Sequence, residues 1–362
     1  MYRPIVYLAL VSLFFLSIPR ALPAQTARTL SSRGWQWIEK EEFDKAITEF
    51  NAALLLDPRS DAAYVGRARA WFGKHEYDKA ISDASQALRF NPKNLFAYGV
   101  RAEMWILKGE YDKAIADCDQ VLRVDPKSSI AYRTRASVWN EKRELDKAIA
   151  DYTKALEFKP KDFEAFLGRG DAYFAKADYA HALPDYNEAI KLRGDDAGLH
   201  NARGRTLQML GRGDEAIADY TRAIQLNPKY TWPYKNRAQV YSGRGEYPLA
   251  IQDLEAAIKI DPKFHNAYVS LTWIYATCPT ESFRNGPKAV EIGKKSCELS
   301  EWKDANDLCN LACAYAEAGN FDEAVKWQTK ANELYSPEMK AKWGFLLDLF
   351  KSGKPYHQQP QA

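Results

Sequence analysis

The hexamer EYDKAI stands at residues 76–81 and again at 110–115, and EFDKAI and ELDKAI stand at 42–47 and 144–149. The spacing is 34 residues each time. A fixed period of this length constrains a fold more than composition can. Each unit is one supersecondary element, too small to bury its own apolar face, so the chain must grow as a stack in which neighbours cover one another. Aligned at this period, Ala46, Ala80, Ala114, Ala148, Ala182, Ala216 and Ala250 share a column. Pro58, Pro92, Pro126, Pro160, Pro228 and Pro262 share a second, with Gly194 in place of the one missing proline. Trp37, Trp71, Trp105 and Trp139 form a third, continued by Tyr173 and Tyr241. The expectation is seven contiguous 34-residue repeats over 27–264.

Each unit reads as two helices. In the second repeat, AAYVGRARAWFGK carries Tyr64, Ala68 and Trp71 at a spacing of three to four, one stripe of a helix. HEYD makes the turn, and KAISDASQALRF is a second amphipathic helix with Ala80, Ile81, Ala84, Ala87 and Leu88 inward. NPKN ends it, because Pro92 cannot continue a helix and drives Asn91 out of the helical region. The alanine column lets two antiparallel helices approach closely, with an aromatic ring filling the space beside it.

The order small residue, aromatic, alanine, alanine, proline (Ala68, Trp71, Ala80, Ala87, Pro92) resembles the tetratricopeptide repeat, and the match recurs over most of the chain. The resemblance implies an all-α fold: a right-handed α-solenoid of tandem helical hairpins, with a concave groove that takes peptides or proteins. The pattern continues past 264. YVSLTWIYATCP (268–279) is a first helix, TESFRNG intervenes, and Ala289 resumes the alanine column 39 residues after Ala250, so about five residues are inserted between the two helices. A ninth repeat follows at roughly 305–338, so 265–338 holds two further repeats. MKAKWGFLLDLFK (339–351) reads as one capping helix over the exposed apolar end of the stack, and 352–362 as a polar, flexible tail.

Two more columns carry charge. Arg33, Arg67, Arg101, Arg135, Arg169, Arg203 and Arg237 lie in the first helices. Glu49, Asp83, Asp117, Asp151, Asp185, Asp219 and Asp253 lie in the second helices, always sixteen residues later. Such positions lie at similar heights in an antiparallel hairpin, so the reading is a structural ladder of Arg–carboxylate pairs rather than a track for an anionic ligand.

The register of the family places partner contacts on the first helices. Carried over, the candidates are Trp35, Arg69, Phe72, Phe96, Glu103 and Ile106 in repeats 1 to 3, and Arg133, Asn140, Asp171, Phe174, Arg205 and Gln208 in repeats 4 to 6. Repeats 7 to 9 add Trp232, Lys235, Gln239, Trp273, Cys309 and Cys313. These columns are chemically mixed where the packing columns are uniform, as a recognition surface would be. Family members that capture the C-terminal carboxylate of heat-shock chaperones use a Lys/Asn/Asn/Lys/Arg clamp. Here Ser31 and Trp35 stand at its first two positions, and only Lys235 matches in repeat 7, followed by Gln239. That specificity does not transfer; the groove is aromatic and polar, suited to an extended segment or a helix.

Arg3, the uncharged run 5–18 and PRALPA before Gln25 make 1–24 a secretory signal peptide. Fourteen residues span ~21 Å as a helix, short of the ~30 Å hydrocarbon core. The expectation is an exported chain, periplasmic or extracellular, with an uncleaved membrane anchor as the alternative. Without that leader the charges are 49 basic against 48 acidic, which leaves no electrostatic footprint for nucleic acid or anionic lipid. Cys118, Cys278, Cys297, Cys309 and Cys313 are an odd set for an exported chain, read as buried thiols or one disulfide such as Cys297–Cys309.

Catalysis finds no room. Repeats fill 27–338; His75, His181, His200, His265 and His357 are scattered; GxSxG, Walker and glycine-rich phosphate motifs are missing. The sequence implies a non-enzymatic protein-interaction scaffold with no cofactor, metal or small-molecule substrate. The alternative is an assembly subunit of a bacterial envelope complex that makes its contacts through its ends or convex face. The C-terminal stretch from YATCP to GKPY resembles the end of many exported bacterial repeat proteins.

Overall fold

The computed structural model describes residues 21–359. The expected leader lies, as far as residue 20, outside the described residues. Among the described residues the regular structure is all helical. Eighteen helices form nine antiparallel hairpins: α1 Ala21–Glu39 with α2 Phe43–Leu56, α3 Asp61–Gly73 with α4 Tyr77–Phe90, α5 Leu95–Leu107 with α6 Tyr111–Val124, and α7 Ser129–Glu141 with α8 Leu145–Phe158. Then come α9 Phe163–Ala175 with α10 Tyr179–Leu192, α11 Ala197–Met209 with α12 Gly213–Leu226, and α13 Thr231–Gly243 with α14 Tyr247–Ile260. The eighth is α15 His265–Thr277 with α16 Gly286–Leu299, split by a 3₁₀ turn at Glu281–Phe283, and the ninth α17 Ala305–Glu317 with α18 Phe321–Leu334. Two short helices, α19 Pro337–Trp343 and α20 Leu346–Lys351, end the array. The chain forms two compact units, divided after Gly168. Within each, a first helix packs on its own partner, and successive first helices touch one another more than successive second helices do. The first helices therefore line the inner face of each unit.

Side-chain size is matched across each hairpin. In the first unit the fully buried Phe50 ring lies between Gly34 and Gly66, where an added Cβ would fall 2.7 Å and 2.3 Å from ring atoms. One repeat later the equivalents are Ala84 against Ala68, both fully buried. In the second unit Tyr220, also fully buried, lies over Gly204, whose Cβ would come within 2.8 Å of the ring. Each large ring thus has a glycine opposite it. Burying such a ring contributes roughly 2–3 kcal/mol, and the close packing adds dispersion.

The charged columns meet as ion pairs. Arg67 grips Asp83 through Nε and Nη2, both at 2.7 Å. Arg101–Asp117, Arg135–Asp151, Arg169–Asp185, Arg203–Asp219 and Arg237–Asp253 repeat that fork at 2.6–2.8 Å. Arg33 holds Glu49 at 2.7 Å. The remaining Nη1 group reaches back to the preceding hairpin: Arg67 to Asn51 at 2.6 Å, Arg135 to Asp119 at 2.5 Å, Arg237 to Thr221 at 2.7 Å. Each such arginine joins two second helices. The hydrogen bond to its aspartate raises the pKa of Arg135 above the ordinary arginine value.

Outside hairpin 8, the turn between the two helices of a hairpin holds one left-handed residue. Glu41, His75, Gly109 and Arg143 supply it in the first unit, and Ala177, Gly211, Gly245 and Gly319 in the second. The bonds Ala177 N→Phe174 O at 2.9 Å and Asp178 N→Tyr173 O at 2.9 Å are those of a Schellman cap. A side chain at positive φ costs about 1 kcal/mol relative to glycine. Ala177→Gly is expected to raise the stability of the second unit by about 0.5–1 kcal/mol, read from urea unfolding; a destabilised protein would show that the Ala177 methyl makes packing contacts worth more than the strain.

Two C-terminal features differ from the sequence reading. The single capping helix expected over 339–351 is broken at Gly344, where Leu347 N turns back to Gly344 O, a three-residue bond of 3.2 Å. Glycine is a poor helix former, and the break lets both Leu346 and Phe350 bury completely. The tail is not frayed where it is described. Gln358 N donates to Thr277 O at 2.8 Å and Gln358 Nε2 to Thr277 Oγ1 at 2.8 Å. His357 Nε2 lies 2.6 Å from Glu317 Oε2. The composition of the tail is polar, but Tyr356 anchors it, and the open carbonyls at the end of α15 accept its donors.

Candidate functional site

In the first unit the inner-face candidates largely satisfy one another. Arg69 pairs with Glu103 at 2.6 Å across adjacent hairpins and lies 4.8 Å over the Phe72 ring. Trp35 packs between Phe50 and Phe96, each with ring centres 5.9 Å away. Arg133 reaches Asp162 at 3.2 Å, while Ile106 and Asn140 are half-buried. This surface has little unspent polar capacity.

The second unit is different. Phe174, Arg205, Gln208, Trp232, Lys235 and Gln239, six of the candidates, converge on one cavity of about 450 Å³ with Asn201, Met209, Tyr230 and Asn236. The register explains the convergence: residues four apart on α11 and α13 project on one side, and the two helices are neighbours. Arg205 lies 4.6 Å over the Phe174 ring. Trp232 packs edge-on against Phe264, at 5.2 Å, and remains 44% exposed. Neither Arg205 nor Lys235 is in an ion pair among the described residues. Asp171 accepts from the buried Tyr186 hydroxyl at 2.6 Å and feels the charge of Arg205 without pairing with it. Burial, and then the charge of Arg205, lowers the pKa of Lys235.

The amides around these cations are oriented by internal bonds. Gln208 Oε1 accepts from Tyr220 at 2.7 Å, Gln239 Oε1 from Lys235 at 3.0 Å, and Asn201 Oδ1 from Asn236 at 3.0 Å. Asn201 Nδ2 in turn donates to Tyr230 at 3.2 Å, leaving that hydroxyl proton to point elsewhere. Three of the four amide oxygens are occupied; Asn236 Oδ1 is the exception. What faces the cavity is a guanidinium, an ammonium, two amide NH₂ groups and a phenol, against aromatic walls. The arrangement suits a ligand rich in acceptors and negative in charge.

Asn201, Met209, Tyr230 and Asn236 were missed by the sequence reading. Asn201 shares the column of Arg133 and Lys235 and could have been found by register. Asn236 sits in a column that elsewhere holds Gly66, Val100, Thr134, Gly168 and Ala202, so it read as a packing position. Tyr230 lies just before α13 and has no inner-face column of its own.

Trp273, in register with Arg205, is covered by Tyr356, with ring centres 6.0 Å apart. Cys309 and Cys313 do not reach the surface; they are 3% and 1% exposed. All five cysteines are free and buried. Burial pushes Cys118 and Cys297 up to about 12. Among the described residues no helix is long and apolar enough to cross a membrane.

A family model described as the ETO1 C-terminal domain matches residues 18–205, just over half of the chain. Tetratricopeptide repeat models match 197–230, 234–264 and 308–337. Against curated proteins the chain finds no match. Among solved structures, a tetratricopeptide repeat protein from Parabacteroides merdae is similar with a TM-score of 0.51 and 19% identity, over 75% of this chain and 99% of that one. PilF of Pseudomonas aeruginosa is similar with a TM-score of 0.55 and 16% identity, over 60% of this chain and 99% of that one. The C-terminal part of a repeat protein from Cytophaga hutchinsonii has a TM-score of 0.55 and 18% identity, over 65% and 97%. At these identities the likeness is one of fold.

Proposed function

Because this chain belongs to the tetratricopeptide repeat proteins, its first half matching the ETO1 C-terminal domain family, we propose that it is a non-catalytic scaffold that holds a peptide or protein segment on the inner face of its second unit, with an acidic group of that segment between Arg205 and Lys235. One observation carries the reading: two cations that form no ion pair among the described residues share a cavity whose amides are turned to offer donors. A bound carboxylate would accept from all of them at once, and charge-assisted bonds of this kind are roughly twice as strong as neutral ones. Phe174 and Trp232 give apolar surface for a neighbouring side chain of the ligand. The exported address, periplasmic or extracellular, is part of the proposal; the N-terminal residue of the native protein, Gln25 if the leader is removed, tests it.

The functional test is a bead-bound octapeptide library screened twice, once with free carboxyl termini and once amidated. Selection of acidic sequences in both screens assigns the anion to a side chain. Selection in the free-carboxyl screen alone assigns it to a chain terminus. Selected peptides with no acidic bias in either screen would overturn the site. A protein captured undiminished by a chain whose site has been charge-reversed would favour contacts through the ends or convex face, as in an assembly subunit.

A further inference from the structure

We infer that the inner face of hairpins 8 and 9, together with the α19 cap, is a peptide-binding site in its own right, and that the C-terminal segment Lys354–Gln358 is its resident ligand, held in cis. The site lies beyond the carboxylate-seeking cavity and does not depend on that reading. Three consecutive tail residues each use a different kind of contact. Tyr356 inserts its ring among Trp273, Trp343 and Phe345, with centres 6.0, 6.3 and 5.9 Å away. His357 meets Glu317, whose other oxygen is held by Arg284 of the inserted turn at 2.9 Å. Gln358 binds Thr277 twice, by its backbone amide to the carbonyl and by its side-chain amide to the hydroxyl, both at 2.8 Å.

This is how an extended ligand is read on a helical surface: an aromatic pocket, a charge of fixed position, and main-chain bonding at an open helix end. Trp273 occupies the column of Arg69 and Arg205, the one that elsewhere faces the groove. The inserted turn supplies Arg284, and the other hairpins of the second unit have no such turn. The ligand class follows from the contacts: an extended segment carrying an aromatic, a basic and an amide side chain in succession. Only Lys354 and Pro355 separate Gly353 from the anchoring tyrosine, so tethering holds the segment at an effective concentration on the order of millimolar or above. A segment of the same chemistry from elsewhere enters only against that competition. The tail also has a reach beyond its own site, because Gln358 and Gln359 line a cavity of about 850 Å³ together with Lys235, Gln239 and Trp273.

The test compares the full chain with a chain ended after Gly353, using the synthetic decapeptide of residues 353–362 as the probe in calorimetry. The truncated chain is expected to bind the decapeptide, the full chain to leave it unbound, and a decapeptide with Tyr356→Ala to bind about tenfold more weakly or worse. A truncated chain that keeps its helical circular dichroism yet takes up no decapeptide at several times the ~1 mM scale of the tether overturns the proposal. Equal binding by both chains overturns it as well. Should truncation unfold the protein, hydrogen exchange on the full chain decides. The Gln358 amide is expected to be protected and to lose that protection in Tyr356→Ala; exchange at the random-coil rate in the unaltered chain overturns the proposal.

Discussion

Replacing Arg135 by alanine lowers the stability of the first unit by about 3 kcal/mol, the low end of the cost of removing one partner from a buried ion pair. The low end applies because the side chains of Arg135 and Asp151 keep 21% and 11% of their exposure. The loss is large because three hydrogen bonds disappear together, two to Asp151 and one to Asp119. Asp151, 7% exposed as a residue, is left as a charge without its counterion. Asp119 is more exposed and can take water instead. Arg135→Lys restores the charge but not the fork, so it recovers only part of the stability. Arg135→Met combined with Asp151→Leu is expected to lie closer to the parent than Arg135→Ala alone, because nothing charged then remains buried. Stacked repeats do not unfold strictly as one body, so the readout is native-state hydrogen exchange of α7 and α8 alongside urea unfolding. A change under about 0.5 kcal/mol would demote the ladder to an ordinary surface ion pair.

Charge reversal at Arg205 has the opposite profile. Arg205→Glu is expected to weaken binding of an acidic library peptide by about 100-fold or more, in line with the cost of losing a desolvated charge pair. Its stability should move by no more than about 1 kcal/mol, because Arg205 is exposed and gives up its contact with Phe174 and its attraction to Asp171, with no ion pair lost. Tyr220→Phe sharpens the point. It keeps the buried ring, costs about 1 kcal/mol for the hydroxyl bond, and frees Gln208 Oε1 to face the ligand as an acceptor. Affinity should fall several-fold with every cation in place. The pH dependence has a definite sign. The pKa of Lys235 is lowered by burial and by Arg205, so affinity declines with rising pH before an ordinary lysine, near ~10.4, would lose its proton. Peptide affinity indifferent to the sign of the charge at 205 would remove the acid from this position.

The period made the hairpins legible, because every repeat reports the same spacing and errors average out. The offset of sixteen located the ladder for the same reason: Arg67 and Asp83 face each other in any hairpin of that length. The cavity was half legible. Arg205, Lys235 and their neighbours followed from register, but whether a cation is free or spent depends on its neighbours. Arg69 with Glu103 and Arg205 above Phe174 share a column and look alike in sequence. Asn236 was hidden because it sits in a packing column. The tail was misread because composition weighs residues and ignores anchors: one tyrosine and a helix end fix a segment that is otherwise polar.

The pairing of Phe50 with Gly34 and Gly66 has a consequence for how such a gene can change. Copies of a 34-residue unit invite unequal recombination, which deletes or duplicates whole units without shifting the period. Loss of residues 61–94 would preserve every alanine, proline and arginine column, yet it would bring Val100 to the place of Gly66, against a ring that already leaves no room for a methyl group. The first units are therefore keyed to their order, and copying errors that look silent in the repeat pattern are expected to be lost through overpacking.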